Sequence, residues 1–491
     1  MNEDEKKFDQ QMIDLLSEVA PAESELGRMN PWSRPIGLIT WGLIMTTIRF
    51  TFLHLDYILP TIGILLIFLG FRSLRDENHF FRFAWVLSIL KLLIQLADLI
   101  RISTPLNILG YPVELGLAML LLQILLYISY HMALKEVFRK AGKTMEEAPL
   151  IWAAVWTGVA FLVAISPFST GWLFFIPMMV LYYAIVKSLS GIGELLDDTG
   201  YFLTNAPVRI SNQYFGWGYI ALSLFIVIAC SMNFSHLRLD TREYRMPSNS
   251  EVREKLLEME FPSDALMYLK DEDVEKLADA RAVELHRKTL MFDPKRIEHV
   301  DTSESGFTQI SHTYKPGDDN AEIAAIYIEM PENIMYLMHY YNWTGGKPHW
   351  QDGITISGES EVENIEIVSS GLFYRKNGIL FTADFPRLIN EDVTVSSMLG
   401  TYRHTLIRGA FSYPFDSEDQ GGYVLQRYKV LSDTDVFSTH SAFTYAHQTN
   451  PIHIPYERTE NAMLNGGYNF EDELQQHNST YESVAVKERE K

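Results

Sequence analysis

Residues 36–71, IGLITWGLIMTTIRFTFLHLDYILPTIGILLIFLGF, form an apolar run with few polar breaks. A hydrocarbon core about 30 Å thick takes roughly 20 helical residues. Ile36–Phe71 is too long for one such helix and long enough for two. His54, Asp56 and Pro60 mark the break. Pro60 suits the first turn of the second helix, where its missing N–H costs nothing.

The same texture recurs downstream, in Phe83–Ile100, Val113–Tyr130, Leu150–Ser166, Trp172–Ser188 and Phe215–Phe234. With Ile36–Leu53 and Tyr57–Phe71 this makes seven candidate spans. Seven long apolar runs in succession cannot bury one another in a small globule. Lipid accommodates them while each helix satisfies its own backbone. Trp32, Trp41, Trp85, Trp152, Trp172 and Trp217 fall at or near the ends of the runs, where aromatic belts form.

Lysine and arginine alternate between the connections. Arg72, Arg75 and Arg82 follow the second run, Lys135, Arg139, Lys140 and Lys143 the fourth, and Lys187 and Arg209 the sixth. The N-terminal arm carries Lys6, Lys7, Arg28 and Arg34, while the alternate connections hold only Arg101. The positive-inside rule then predicts a cytoplasmic N-terminus and, after an odd number of spans, an extracytoplasmic C-terminal half. Arg238, Arg242 and Arg245 oppose this weakly, because long domains translocate largely regardless of such charges.

Composition supports two separate parts. The 491 residues have a formal net charge of −21. Residues 1–240 hold 17 basic and 20 acidic groups, and the rest hold 24 and 42, so an excess of 18 negative charges lies in the C-terminal half. Such a domain repels nucleic acid and anionic lipid, which excludes nucleic-acid binding as its role. The single cysteine, Cys230, sits in the last run, so the outer part has no structural disulfides. This favours a bacterial surface protein with a core large enough to do without them. The N-terminus is acidic and polar and lacks a cleavage site, so the first span serves as an uncleaved anchor.

The run from Asn30, Pro31 and Trp32 through LDYILPTIGILLIFLGFRSLRDEN to Trp85 resembles the opening of multi-span membrane proteins of Gram-positive bacteria, about one-eighth of the chain. Some of those look to be partnered with extracytoplasmic-function sigma factors. The resemblance implies a sensor or anti-sigma-like role, with the cytoplasmic arm as the partner-binding piece.

The domain expectation is a cytoplasmic amphipathic arm over 1–35, the bundle over 36–234, a helical neck over 235–296, an antiparallel β-sandwich over 297–456 and a disordered polar tail over 457–491. In the arm, Phe8, Met12, Leu16 and Val19 recur at near-helical spacing and would dock a cytoplasmic protein by their apolar stripe. The neck reads as helices over Glu251–Met259, Asp264–Leu269 and Asp271–Lys288. Strands are expected at Glu322–Met330, Ile334–Tyr341, Val362–Val368, Leu372–Lys376, Ile379–Ala383, Leu406–Tyr413 and Tyr423–Val430, with Asn377-Gly378 as a hairpin turn.

Two constellations are candidates for function. Lys91, Gln95 and Asp98 share a face of one span at i, i+4 and i+7, with Glu114 and Arg49 as further members. Charges at that depth face protein or a water-filled cavity, so the set reads either as an ion or substrate path or as a polar cluster that fixes packing. Outside, Tyr340, Tyr341, Trp343, His349, Trp350 and Asp352 could stack on a sugar ring or peptide, or simply fill one end of the sandwich. The histidines, His312, His339, His349, His404, His440, His447 and His453, lack zinc-site spacing, and no nucleophile elbow, phosphate loop or paired-cysteine motif is present. Neither metal nor cofactor is expected, and no catalytic residue is assigned. The leading expectation is a sensor that relays an extracellular or wall ligand to a cytoplasmic partner. The alternatives are a transporter or channel, and an envelope assembly scaffold.

Overall fold

A computed structural model describes residues 32–483, apart from 49, 51, 111–112, 166–171, 200, 202, 204–205, 293–294, 303–307, 316, 347, 359–361, 398–399, 433–436, 453 and 462–473. The expected docking stripe Phe8, Met12, Leu16 and Val19 lies outside the described residues. The chain divides into two compact units, Met1–Cys230 and Ser231–Lys491.

The first unit is helical. Its long elements are α1 (Ser33–Thr47), α2 (Leu55–Leu74), α3 (His79–Ile102), α4 (Val113–Lys140), α5 (Pro149–Ile165), α6 (Trp172–Asp197) and α7 (Asn212–Phe234). Five of these, α2, α3, α4, α6 over Phe175–Asp197, and α7, are long and apolar enough to cross a membrane. The other two, α1 with 15 residues and α5 with 17, are shorter. Among the described residues five helices therefore have the length and apolarity of spans, where seven spans were expected.

The break between the first two helices also moves. α1 stops at Thr47 and α2 starts at Leu55, so α2 is the full-length member and Pro60 lies inside it rather than in its first turn. Thr46, Thr47 and Ile48 are β-branched and poor helix formers. Both threonine hydroxyls donate to Leu43 O, at 3.0 and 2.8 Å, competing with the backbone ladder as the helix ends. α1 is held by glycines. A Cβ on Gly42 would lie 2.5 Å from Gly63 O, one on Gly63 2.7 Å from Gly42 O, and one on Gly70 2.8 Å from Pro35 O. The α1 and α2 backbones therefore meet directly, as in helix pairs packed through small residues.

The basic connections gather at one end of this unit. Lys140 Nζ donates to Glu77 O at 2.9 Å, and Tyr201 Oη donates to Glu77 Oε1 at 2.7 Å. Arg72 donates to Ile210 O at 2.6 Å and to Asn212 Oδ1 at 3.2 Å, and Arg75 donates to Pro207 O. Trp32, read as an interfacial ring, is instead fully buried there and donates to Tyr201 O at 2.8 Å, whereas Trp41, Trp152 and Trp217 are exposed.

The second unit contains two antiparallel sheets. The elements are β1 (Thr241–Glu243), α8 (Glu251–Glu258), α9 (Ser263–Leu266), α10 (Asp271–Glu275), β2 (Ala282–Met291), β3 (Lys295–Thr302), β4 (Thr308–Lys315), β5 (Asn320–Glu329), β6 (Ile334–Gly345), β7 (Asp352–Gly358), β8 (Val362–Lys376), β9 (Ile379–Ala383), β10 (Arg387–Ser397), β11 (Gly400–Phe411), β12 (Glu418–Val430), β13 (Ser438–His447) and β14 (Leu474–Glu482). Seven strands run in the order β1-β9-β8-β12-β6-β5-β2 and five in the order β10-β11-β7-β13-β14, while β3 and β4 form a separate hairpin. Tyr341, Trp343, Leu372 and Val424 of the first sheet share one core with Ile354, Ile407, Phe411, Phe443 and Tyr445 of the second. This is the face-to-face packing of a sandwich. Asn377 and Gly378 both have positive φ, 54° and 79°, as the hairpin turn between β8 and β9 requires.

Three expectations change here. First, α8–α10 are not a neck: Leu256, Phe261, Leu266, Leu269, Val274 and Leu277 pack on Ile326, Ile328, Met338, Phe373 and Leu425 of the seven-stranded sheet. That sheet is buried on both faces, which explains why β5 and β6 read as nearly continuous apolar runs. Buried Arg253 ties this layer together by donating to Leu266 O, Leu269 O and Asp271 Oδ1 at 2.8, 2.7 and 2.9 Å. Second, Ala282–Lys288 is strand, not helix, because β2 pairs along its whole length with β5 at the end of the sheet. Its charged residues are those of a protected edge strand, and tertiary pairing overrides their helix propensity. Third, the segment after Glu457 is not wholly disordered: β14 pairs with β13 from Ser438↔Glu482 to Ala446↔Leu474.

Candidate functional site

In the helical unit, α3 presents Lys91 and Gln95 to the interior, where they are 6% and 8% exposed. Lys91 Nζ donates to Gln123 Oε1 of α4, and Gln95 Nε2 donates to Thr61 Oγ1 of α2 at 3.1 Å. Polar side chains from three helices, α2, α3 and α4, thus pair inside an apolar bundle. Among the described residues no carboxylate stands within ion-pair distance of Lys91, so a neutral amide holds this buried cation.

The expected set of five does not form one network. Asp98 turns to Arg101, 2.8 Å from Oδ1 to Nε, and Arg101 Nη1 donates to Asn107 Oδ1 at 3.1 Å. Seven residues along a helix is about 10.5 Å, enough to carry Asp98 from the level of Lys91 to the level of that connection. Glu114 is exposed, and Arg49 lies outside the described residues. Sequence reading missed Gln123 and Thr61. Gln123 had a visible signal, as a lone amide in the middle of an apolar run.

In the sandwich, the expected ligand surface divides. Tyr341, Trp343 and Asp352 are buried in the shared core. Trp343 Nε1 donates to Tyr445 Oη at 3.0 Å, Tyr445 Oη donates to Asp352 Oδ2 at 2.6 Å, and His447 Nδ1 lies 2.8 Å from Asp352 Oδ1. Burial first, and Asp352 next, push the Tyr445 hydroxyl well above its ordinary pKa, so it stays a donor. Tyr341 Oη lies 3.1 Å from Tyr413 Oη, which donates to Gly421 O at 2.7 Å. The reading of Tyr341, Trp343 and Asp352 as ligand-facing is therefore corrected: they cross-link the two sheets. Positions 341 and 343 lie two apart on β6 and so share its inner face. Only His349 and Trp350 are half-exposed, and both pack against Phe415, with ring centroids 5.3 and 5.1 Å away.

A cleft of about 850 Å³ opens elsewhere on this unit, between the β1 segment, the α9–α10 turn and the seven-stranded sheet. Tyr268 stacks flat on Phe373 at 3.7 Å, and Tyr244 lies 5.8 Å from Tyr268 and donates to Met267 O at 2.7 Å. Burial pushes Tyr268 up to about 12. Exposed Met246 and Arg245 line the mouth, and Arg242 pairs with Asp384. Aromatic walls with a few polar groups suit a small ligand or a peptide side chain. Nothing in the spacing of Tyr244, Tyr268 and Phe373 announces this cleft, because only the folding of the α8–α10 layer onto the sheet brings them together.

One histidine makes the sandwich sensitive to acid. His339 is fully buried on β6, its Nε2 2.8 Å from Ser441 Oγ. Burial first, then neighbouring His477, push it down to about 3. A histidine whose folded pKa is depressed stays neutral in the native state and takes up a proton on unfolding below about 6.5. Its contribution is intact above that value and is lost progressively as the pH falls towards 3. Acidification from pH 7 to pH 5 is expected to cost the sandwich about 2 kcal/mol. Thermal melts across that range would show it, and His339→Gln, which can keep a bond to Ser441, is expected to remove the larger part of the slope.

No protein-family model matches the chain, and no curated protein matches it. Among solved structures, the KRT10-binding region domain of the pneumococcal serine-rich repeat protein PsrP is similar at a TM-score of 0.19 and 9% identity, over 41% of this chain and 98% of that one. A structure of Streptococcus parasanguinis Fap1, from fimbriae whose adhesion is modulated by pH, is similar at a TM-score of 0.16 and 9% identity, over 34% and 76%. The collagen adhesin CNA of S. aureus is similar at 0.17 and 7% identity, over 41% and 84%. Likenesses this slight carry no argument for this chain.

Proposed function

We propose that this chain is a multi-pass membrane sensor of a bacterial envelope. In this reading all seven helices enter the bilayer, with α1 and α5 as its two short members. The N-terminal arm lies in the cytoplasm and the acidic sandwich lies outside. The sandwich takes up an extracytoplasmic ligand or wall component, and the bundle relays its state to a cytoplasmic partner on the arm. The observation that carries the reading is the clustering of Arg72, Arg75, Lys135, Arg139 and Lys140 at one end of an apolar helical unit that is followed by a separate acidic domain. Basic connections on one side are the mark of a cytoplasmic face. The test is deletion of residues 3–19. The output of the cytoplasmic partner is expected to vanish while membrane insertion is kept, and an unchanged output would remove the relay.

Transport is the second reading, and the Lys91 site favours it. A buried cation held, among the described residues, by the neutral Gln123 Oε1 would attract an anionic solute into the bundle. Lys91→Met would then abolish flux of that anion in reconstituted vesicles without lowering the melting temperature. A variant that is destabilised or unchanged in flux would leave Lys91 a packing element.

A further inference from the structure

One stripe of α4 changes character along its length. Leu121, Leu125, Ile128 and Met132 are exposed on it, and Lys135 and Arg139 continue the same i+3, i+4 row, with exposed Lys143 just past the helix end. Among the described residues these three cations make no ion pair or side-chain hydrogen bond, whereas Arg72, Arg75 and Lys140 at the same end are all committed to backbone carbonyls. A groove of about 700 Å³ sits where the stripe turns basic. Phe80, Met132 and Met145 form its apolar side, and Lys135, Arg139, Lys143 and the Thr144 hydroxyl its polar side. Among the described residues lining it Glu136 is the one acid, and it lies 3.9 Å from His79 Nδ1.

From this arrangement we infer that the groove is a binding site for the headgroup of an anionic phospholipid, with the acyl chains lying along Met132, Ile128, Leu125 and Leu121. The inference rests on the bundle being embedded in lipid. The complementarity is twofold: unpaired cations meet the phosphate, and the exposed apolar row continues from it in the direction the chains must take. Basic pockets beside helices bind such headgroups because each nearby cation gains from the negative charge and the apolar wall excludes water. A zwitterionic headgroup would gain much less, since its ammonium faces the same cations.

The test uses the full-length chain purified in mild detergent and native mass spectrometry against phosphatidylglycerol and phosphatidylcholine of equal chain length. The wild type is expected to retain phosphatidylglycerol at least about tenfold better. Combined Lys135→Gln, Arg139→Gln and Lys143→Gln should abolish the preference. Combined Arg82→Gln, Lys187→Gln and Arg209→Gln, at the same end but outside this groove, should leave it within about twofold. Should the first combination not fold, Arg139→Glu alone makes the same comparison. Equal retention of the two lipids by the wild type, or equal losses in the groove and control variants, would overturn the site. A wild type that leaves the membrane without detergent would instead overturn the bundle itself.

Discussion

Replacing Asp352 by Ala is expected to destabilise the sandwich by about 3–5 kcal/mol. Asp352 is fully buried, and its two oxygens hold Tyr445 Oη at 2.6 Å and His447 Nδ1 at 2.8 Å. Removing it leaves a buried hydroxyl and a buried imidazole without their acceptor, and each such orphan carries its own desolvation penalty. The Trp343 indole, bonded to the same Tyr445 hydroxyl, would lose its fixed geometry as well. Asp352→Asn keeps one acceptor and should cost less than the alanine variant. Thermal unfolding followed by near-ultraviolet circular dichroism of the full chain reads the effect. A loss below about 1 kcal/mol would mean that apolar packing alone holds the sheets together.

The second large effect is expected at the α1–α2 contact. Gly63→Leu places a side chain where even a Cβ would lie 2.7 Å from Gly42 O and 2.9 Å from Thr46 Cγ2. The obstruction is backbone and cannot rotate away, so the two helices must separate. Overpacking of this kind costs about 1–3 kcal/mol where neighbours can adjust and more where they cannot. The variant should accumulate poorly and run as a broad peak in detergent. Gly158→Leu is the matching control, because nothing lies within 4 Å of a Cβ there. Similar yields for the two variants would show that α1 is held by something other than backbone contact.

Both effects fall on residues whose type was visible in the sequence but whose partners were not. Periodicity located the seven helices, because lipid-facing length and apolarity are local properties. It misplaced the first boundary, because Thr46, Thr47 and Ile48 are apolar enough to span and are only weak as helix formers. In the sandwich, β9 was legible to the residue, and the Asn377-Gly378 turn shows why: positive φ is written in the local residue types. β2, β10, β13 and β14 were not legible. They are rich in charged or hydroxylic residues, and their strand character comes from the neighbour each one pairs with. The candidate sites divide in the same way. Lys91 and Gln95 could be found because a charge and an amide stand out in an apolar run. Tyr341, Trp343 and Asp352 looked like a surface because composition cannot tell a buried aromatic from a displayed one. Partner identity, Gln123 for Lys91 or His447 for Asp352, is a long-range property that only the fold supplies.

The function proposed above requires that lipid surround the helices, that the basic connections lie in the cytoplasm and that the sandwich lie outside. In a Cys230→Ser background, a single cysteine is introduced at Asp416, which is largely exposed in the sandwich, or at Lys143, at the basic end of the bundle. Intact cells are then treated with a membrane-impermeant maleimide. Asp416→Cys is expected to be labelled at once and Lys143→Cys only after permeabilisation. Labelling of Lys143→Cys on intact cells, or protection of Asp416→Cys until lysis, would contradict it.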